Sequence, residues 1–461
     1  MRRETLTVCA VIALTGYPAE RSTVVAQPVA STIVFDGARV IVGDGTAPID
    51  DAVMVVEDGK LTRVGRRGDV APPSGATHIA LQGKTVMPML MNVHGHVGYM
   101  KGNNVDPKNY NRENLLEDLR RYVYYGVAAV LSLGTDRGDL ELRIRAEQRS
   151  GSLKDPSLAL LLTANDGIVA PNPGSTNGGP GFAADVVREA GTPEEARRHV
   201  QELAKKKPGV IKLWVDDRNH TKPKLKPEVY RAVVEEAHAQ GLRAIAHIYY
   251  LDDAKDLAKS GVDGFAHPVR DRPIDEELVR LMKEHDVFQC STVGSLRPDR
   301  DVRFDDPALA ETVPPEVRTA AKVPVGAAPS GDPEARHRMY AMVLMSLKMQ
   351  GDAGIRIALC GDTGITGQFP GFSEHRELQA MVDAGLTPLQ AIRAGTEISA
   401  AILGLRDMGT LASGKRADFL VLDANPVDNI ANTRKIAAVY RGGQAIERAA
   451  SKARWTGASD Q

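Results

Sequence analysis

Cysteine is scarce. Cys9, Cys290 and Cys360 are the only three in 461 residues, which offers no disulfide framework and no C-x-x-C metal site. Charge of one sign is missing as well. The 58 Lys and Arg balance 59 Asp and Glu to a formal net charge of -1, and no long basic run interrupts the chain. That argues against nucleic acid as a partner. Beyond the N-terminus no segment is long and apolar enough for a transmembrane helix, so no membrane partner is expected. Internal repeats and low-complexity linkers are also lacking. What remains is an ordinary globular composition, 43% hydrophobic and 25% charged, long enough for one large domain and a smaller one.

The N-terminus reads as a secretory signal over residues 1–26. Arg2 and Arg3 supply the positive start, Val8 to Leu14 a short apolar stretch, and Val24-Val25-Ala26 a cleavage site. A periplasmic or secreted protein follows from that reading; a leader on a cytoplasmic protein is the alternative. Residues 27–85 carry short β runs broken by the turns Asp36-Gly37 and Asp58-Gly59, the chemistry of hairpins. From residue 86 to 400 apolar strands alternate with amphipathic helices, which predicts βα units and a parallel sheet. In Pro227 to Gln240, for example, Val229, Ala232, Val233 and Ala237 recur at helical spacing.

Seven strands, Val127 to Leu133, Leu158 to Thr163, Gly209 to Val215, Leu242 to His247, Gly264 to His267, Val287 to Thr292 and Ile355 to Cys360, follow a first one before His94. Eight such units imply an α/β fold, a (β/α)8 barrel of the TIM type. Residues 401–461 return to β character. The simplest arrangement joins both chain ends into one small β-sandwich-like domain beside the barrel. The tail from about Ala449 is polar and is expected to fray.

His94-Gly95-His96 closes the apolar run from Thr85 to Met91. Strand side chains repeat every second residue, so both imidazoles point to one side, a natural pair of ligands for a divalent metal. The pair gains force from residues at later strand ends: Lys212, His247, His267 and Asp362. Catalytic residues of such barrels sit there. A hydrogen-bonded core histidine or, for Asp362, a turn cap is the structural alternative for each alone. Lys212 lies inside Val210-Ile211-Lys212-Leu213-Trp214-Val215, where a buried ammonium costs several kcal/mol unless paired or neutral. Reaction with carbon dioxide would turn the amine into an anionic oxygen ligand; a neutral or salt-bridged lysine is the other reading.

This ordered set, H-x-H, Lys, His, His, Asp, resembles the amidohydrolase superfamily, in its binuclear branch with a carboxylated lysine. The likeness is strongest to the imidazolonepropionase-like group of metal-dependent dipeptidases, prolidases and ochratoxinase-type amidases. His375 to Leu378 through Ala384 to Ala391 resembles the group's last barrel helices, and Gly409 to Asp418 its return to the β domain. The resemblance implies two divalent ions, zinc first, with manganese, cobalt and iron also suited to these ligands. His94, His96 and Asp362 would hold the more buried ion and His247 and His267 the other, with carboxylated Lys212 and a hydroxide bridging them. It further implies Asp362 as general base and then acid in cleaving a C–N bond. Two departures stand out: Asn92 where the family commonly has Asp, and Pro268 where Gly is frequent.

The expected substrate is a small-molecule amide, dipeptide or carbamate. Tyr249, Tyr250, Arg270, Tyr99 and Asn165 are the candidates to contact it, since each follows a predicted strand. Pro171 to Gly181 and the insertion from Leu296 to about Asp332 are candidates to cover the opening. A homo-oligomer is expected from the resemblance. Lactone or organophosphate ester hydrolysis on the same centre, and a non-catalytic binding protein on the same scaffold, are the competing readings.

Overall fold

The computed structural model describes residues 32–172, 181–298, 300–322 and 332–457. The expected signal segment, most of the Pro171 to Gly181 loop and the centre of the long insertion lie outside them. Eight parallel strands form the frame: β1 (Leu90–Gly95), β2 (Val127–Ser132), β3 (Leu160–Thr163), β4 (Ile211–Val215), β5 (Ala244–Ile248), β6 (Gly264–Phe265), β7 (Phe288–Cys290) and β8 (Ile357–Ala358). β1, β2 and β3 pair in sequence, as do β4 to β8. Gly209 N donates to Thr163 O at 2.8 Å between β3 and β4. Val93 N donates to Leu359 O at 3.0 Å between β1 and the end of β8. This is the TIM-barrel type of fold.

Helices cover the strands because their apolar residues fall on one face. In Pro227–Ala239 the residues Val229, Ala232, Val233 and Ala237 are all buried, as the spacing predicts. The two ends of the chain meet in one hydrogen-bonded sheet. Thr85–Pro88 pairs with Phe419–Leu422 on one side and with Ile33–Val40 on the other. The apolar run before His94 is thus two strands. Pro88 has no N–H to continue the ladder, and the chain passes to the barrel at Met89.

Two expectations are corrected. The described part of the tail does not fray: Arg448–Thr456 is a helix. Trp455 anchors it, its Nε1 donating to Glu117 at 2.7 Å, and the Arg448 guanidinium lies 4.2 Å from the Tyr124 ring centre. A polar stretch holding one aromatic anchor therefore docks. Cys290 and Cys360 form a disulfide across 70 residues, because β7 and β8 are neighbours. In the described part of the insertion Phe304, Leu309 and Val313 are buried against Met100, Tyr124, Tyr125, Phe369 and Phe372.

Candidate metal centre

Pleating puts His94 and His96 on the same side of the chain at the end of β1. Asp362 follows β8 and reaches both: its Oδ1 lies 3.2 Å from His94 Nε2 and 3.3 Å from His96 Nε2. These three residues form a group that can hold a divalent metal. His267 and His247 stand beside it. Ring centres are 4.9 Å apart for His94 and His267, and 4.4 Å apart for His247 and His267. The structure therefore brings together all four predicted histidines and Asp362.

The hydrogen bonds of the second ring nitrogens decide which nitrogen each histidine offers. His94 Nδ1 donates to the Ala266 carbonyl at 3.3 Å, leaving Nε2 for the centre. His96 Nδ1 sits 3.2 Å from Thr135 Oγ1. Thr292 gives its hydroxyl proton to Ala266 O, so its oxygen accepts from His267 Nδ1 at 3.2 Å. His247 is reversed. Its Nε2 donates to the Asp216 carboxylate at 2.9 Å, which leaves Nδ1 as the free lone pair. Burial pushes His94 and His267 well below the usual imidazole range and His247 down to about 3, so these rings are neutral, the form that ligates. Burial alone would raise Asp362, but His94, His96 and Lys212 outweigh it and hold its carboxyl well below the usual range.

Lys212 is fully buried and its Nζ has no hydrogen-bond partner among the described residues; the Trp214 ring centre lies 5.0 Å away. Burial pushes the ammonium down to about 7. Its charge is felt by His94, His247, His267 and Asp362 alike, which sets it among the histidines. A methyl group at Gly134 would stand 2.9 Å from Lys212 Cγ and 2.7 Å from the Trp214 ring, so that glycine makes room for the pair. An orphaned buried amine beside a cluster of buried imidazoles and a carboxylate fits a carboxylated lysine between two cations.

The backbone is strained around these groups. Asp362 has φ 47°, Thr292 φ 38° and Asn165 φ 58°, all in the left-handed region. Gly364 (φ 89°) is required, because a Cβ there would fall 1.6 Å from His96 O.

The substrate candidates separate. Tyr99 is fully buried and donates its hydroxyl at 2.7 Å to the carbonyl of Thr135, whose side chain meets His96. Asn165 is buried too, donating to Asp136 and Asp139 at 3.0 Å each. Tyr250 gives its hydroxyl to Asp217 at 2.6 Å and stacks on His220. Tyr249 and Arg270 remain at the centre: the guanidinium lies 4.9 Å from the Tyr249 ring centre and 3.4 Å from His247 Nε2. Asp271, next to Arg270 in the sequence, faces Arg272 at 3.7 Å and accepts from Leu251 N.

Several functional residues escaped the sequence reading. Asp216 was legible in principle: Lys212, Trp214 and Asp216 alternate onto one side of the same strand. Thr135, Thr292 and Glu374 carried no signal of their own. Glu374 takes up the departure at Asn92. Its Oε1 accepts from Asn92 Nδ2 at 2.6 Å and from Thr363 Oγ1 at 3.0 Å, while Asn92 Oδ1 accepts from His94 N and Gly361 N. The carboxyl group thus lies one side chain further back, where burial pushes it up to about 8.

The amidohydrolase family model matches residues 85–446. The chain belongs to the amidohydrolase family, and with it to the hydrolases acting on carbon–nitrogen bonds. That superfamily generally uses divalent metals. Ochratoxinase of Aspergillus niger is 26% identical over 455 residues, covering 90% of this chain and 86% of that protein. Its crystal structure superposes with a TM-score of 0.69 at 22% identity, over 90% of this chain and 95% of that one. A Xaa-Pro dipeptidase with bound methionine gives 0.69 at 20% identity, over 90% and 100%. Phenylurea hydrolase B gives 0.71 at 21%, over 91% and 98%. The structural likenesses establish the fold.

Asp216→Ala removes the carboxylate that fixes the His247 tautomer. Metal affinity is expected to fall about 10–100-fold, measured by competition with a chelator. Unchanged affinity would assign Asp216 to the loop alone.

Proposed function

We propose that the protein hydrolyses an amide, peptide or carbamate C–N bond of a small molecule at a centre of two divalent ions. His94, His96 and Asp362 would hold one ion, His247 through Nδ1 and His267 through Nε2 the other, and carboxylated Lys212 would serve both. Zinc suits these ligands, as do manganese, cobalt and iron. The observation that carries this reading is the orphaned Lys212 Nζ among neutral imidazoles. Its free-base form attacks the carbon of carbon dioxide, forms an N–C bond and releases one proton, which yields the anionic oxygens that the cations require.

Bound divalent ions acidify water and polarise a carbonyl, which supplies a nucleophile and an electrophile at neutral pH. The residues of the chain do the rest. Asp362, ionised and close to both β1 histidines, can take a proton on its carboxylate and return it to the leaving nitrogen. Asp216, Thr135 and Thr292 keep the imidazoles in their ligating tautomers. The names of the relatives, a dipeptidase and a phenylurea hydrolase among them, agree with C–N hydrolysis.

Protein prepared with zinc and bicarbonate, assayed on matched amides, dipeptides, carbamates, lactones and phosphate triesters, tests the proposal. Amide, peptide or carbamate cleavage that chelator abolishes and zinc restores is the expected result. Turnover confined to lactones or phosphate esters would overturn it, and so would metal binding without any hydrolysis.

A further inference from the structure

Glu374 lies in the first turn of the helix Phe372–Asp383, and it is fully buried, as are Asn92, Tyr122 and Thr363 around it. Its carboxyl group stands behind both halves of the metal centre at once. On the β1 side, Asn92 Oδ1 accepts from His94 N at 2.9 Å and from Gly361 N at 3.1 Å. Two N–H donors on that oxygen fix the amide, so its Nδ2 points the other way and donates to Glu374 Oε1 at 2.6 Å. On the β8 side, Thr363 Oγ1 donates to the same Oε1 at 3.0 Å, and it accepts from Asn92 Nδ2 at 2.9 Å and from the Tyr122 hydroxyl at 2.6 Å. The Thr363 carbonyl accepts from His96 N at 2.7 Å. A Cβ on Gly361 would stand 3.1 Å from Glu374 Oε1, so the carboxyl group packs onto the chain immediately before Asp362. Asp362 itself is left-handed at φ 47°, a conformation that persists only where its surroundings over-determine it. Both of its neighbours, Gly361 and Thr363, are held by the Asn92–Glu374 pair.

We infer that Glu374 is a positioning residue of the metal centre: through Asn92 and Thr363 its carboxyl group sets the reach between Asp362 and the β1 histidines, and with it the affinity for metal. This rests on the metal-centre reading and extends it to a residue that touches neither ion nor substrate. What the site requires is a complementary acid–amide pair, in either order. In Asn92→Asp/Glu374→Gln one oxygen of the new carboxylate still accepts from His94 N and Gly361 N, and the other accepts from the new amide. Thr363 turns its hydroxyl proton to that carboxylate and accepts from the new amide, so each bond reverses its sense and none is lost. In Asn92→Asp alone two carboxyl groups face each other in a buried space, and each disfavours the charged form of the other.

The test is zinc affinity of the metal-free full chain in bicarbonate buffer, read by competition with a chromophoric chelator, with circular dichroism confirming the fold of each variant. Glu374→Ala is expected to lose about 10–100-fold in zinc affinity, and Glu374→Gln, which keeps an acceptor toward Asn92, should lose less. Asn92→Asp should lose about 10-fold or more, and Asn92→Asp/Glu374→Gln should return to within about threefold of wild type. A purely structural role would lower the melting temperature of Glu374→Ala and leave the affinity of the folded chain unchanged, and that result would overturn the inference. Should Glu374→Ala not fold, the exchange decides alone. Recovery in the double variant supports the inference; a double variant no better than Asn92→Asp, or an Asn92→Asp variant equal to wild type, overturns it. A wild-type chain that binds no zinc would overturn the metal-centre reading and this inference together, whereas zinc binding indifferent to position 374 would overturn this inference only.

Discussion

Lys212→Ala is expected to fold, to hold at most one metal per chain, and to lose at least about 1,000-fold in turnover. The lysine is fully buried and has no hydrogen-bond partner among the described residues, so removing it breaks no polar contact of the fold. What it removes is the only anionic oxygen ligand the second ion would have from the protein, because the other two ligands there are neutral imidazoles. Short carboxylic acids should restore part of the metal content and activity by entering the vacated space. Full metal occupancy in the variant would refute the bridging role.

The same lysine makes a prediction for the metal-free protein. Burial lowers its pKa from 10.5 to about 7, so between those values the unfolded chain binds the extra proton and the folded chain does not. Stability from this group therefore rises with pH from about 7 to about 10.5, and the cost is fully present below 7. Lys212→Met should abolish that slope and stabilise the metal-free chain at neutral pH by about 1–4 kcal/mol. Denaturant midpoints across that range, wild type against variant, check it; parallel curves would mean that the amine is paired.

Asp362→Asn should leave the fold intact and lower kcat by about 10³–10⁴-fold. Asparagine has the same shape and is among the few residues that accept φ near 47°, so the strained backbone survives the exchange. The amide cannot take a proton at the position of Oδ2, and it brings no charge to His94 and His96. A KM close to wild type with collapsed kcat would mark the loss as chemical. Near-normal turnover would sink the assigned role of Asp362.

The frame and the cluster of His94, His96, His247, His267 and Asp362 were legible in the sequence for one reason: both depend on short periodicities. The alternation in His94-Gly95-His96, the apolar strands and the helical spacing in Pro227–Ala239 are properties of a few consecutive residues. A lysine inside an apolar strand announces its own electrostatic problem. What was missed depends on which strands become neighbours. The Cys290–Cys360 bridge needs β7 beside β8, and the carboxyl of Glu374 reaches Asn92 across 282 residues. Tyr99 and Asn165 illustrate the converse. Both follow barrel strands, but each is buried in hydrogen bonds that strand position alone does not reveal. The docking of the last helix turned on a single aromatic residue, Trp455, in an otherwise polar tail.

The central claim is a two-ion centre completed by Lys212. Elemental analysis of the protein prepared with zinc and bicarbonate tests it most directly. About two ions per chain is the result expected from four histidines, one aspartate and a carboxylated lysine. One ion per chain would make Lys212 a structural residue, and none would contradict the metal centre itself.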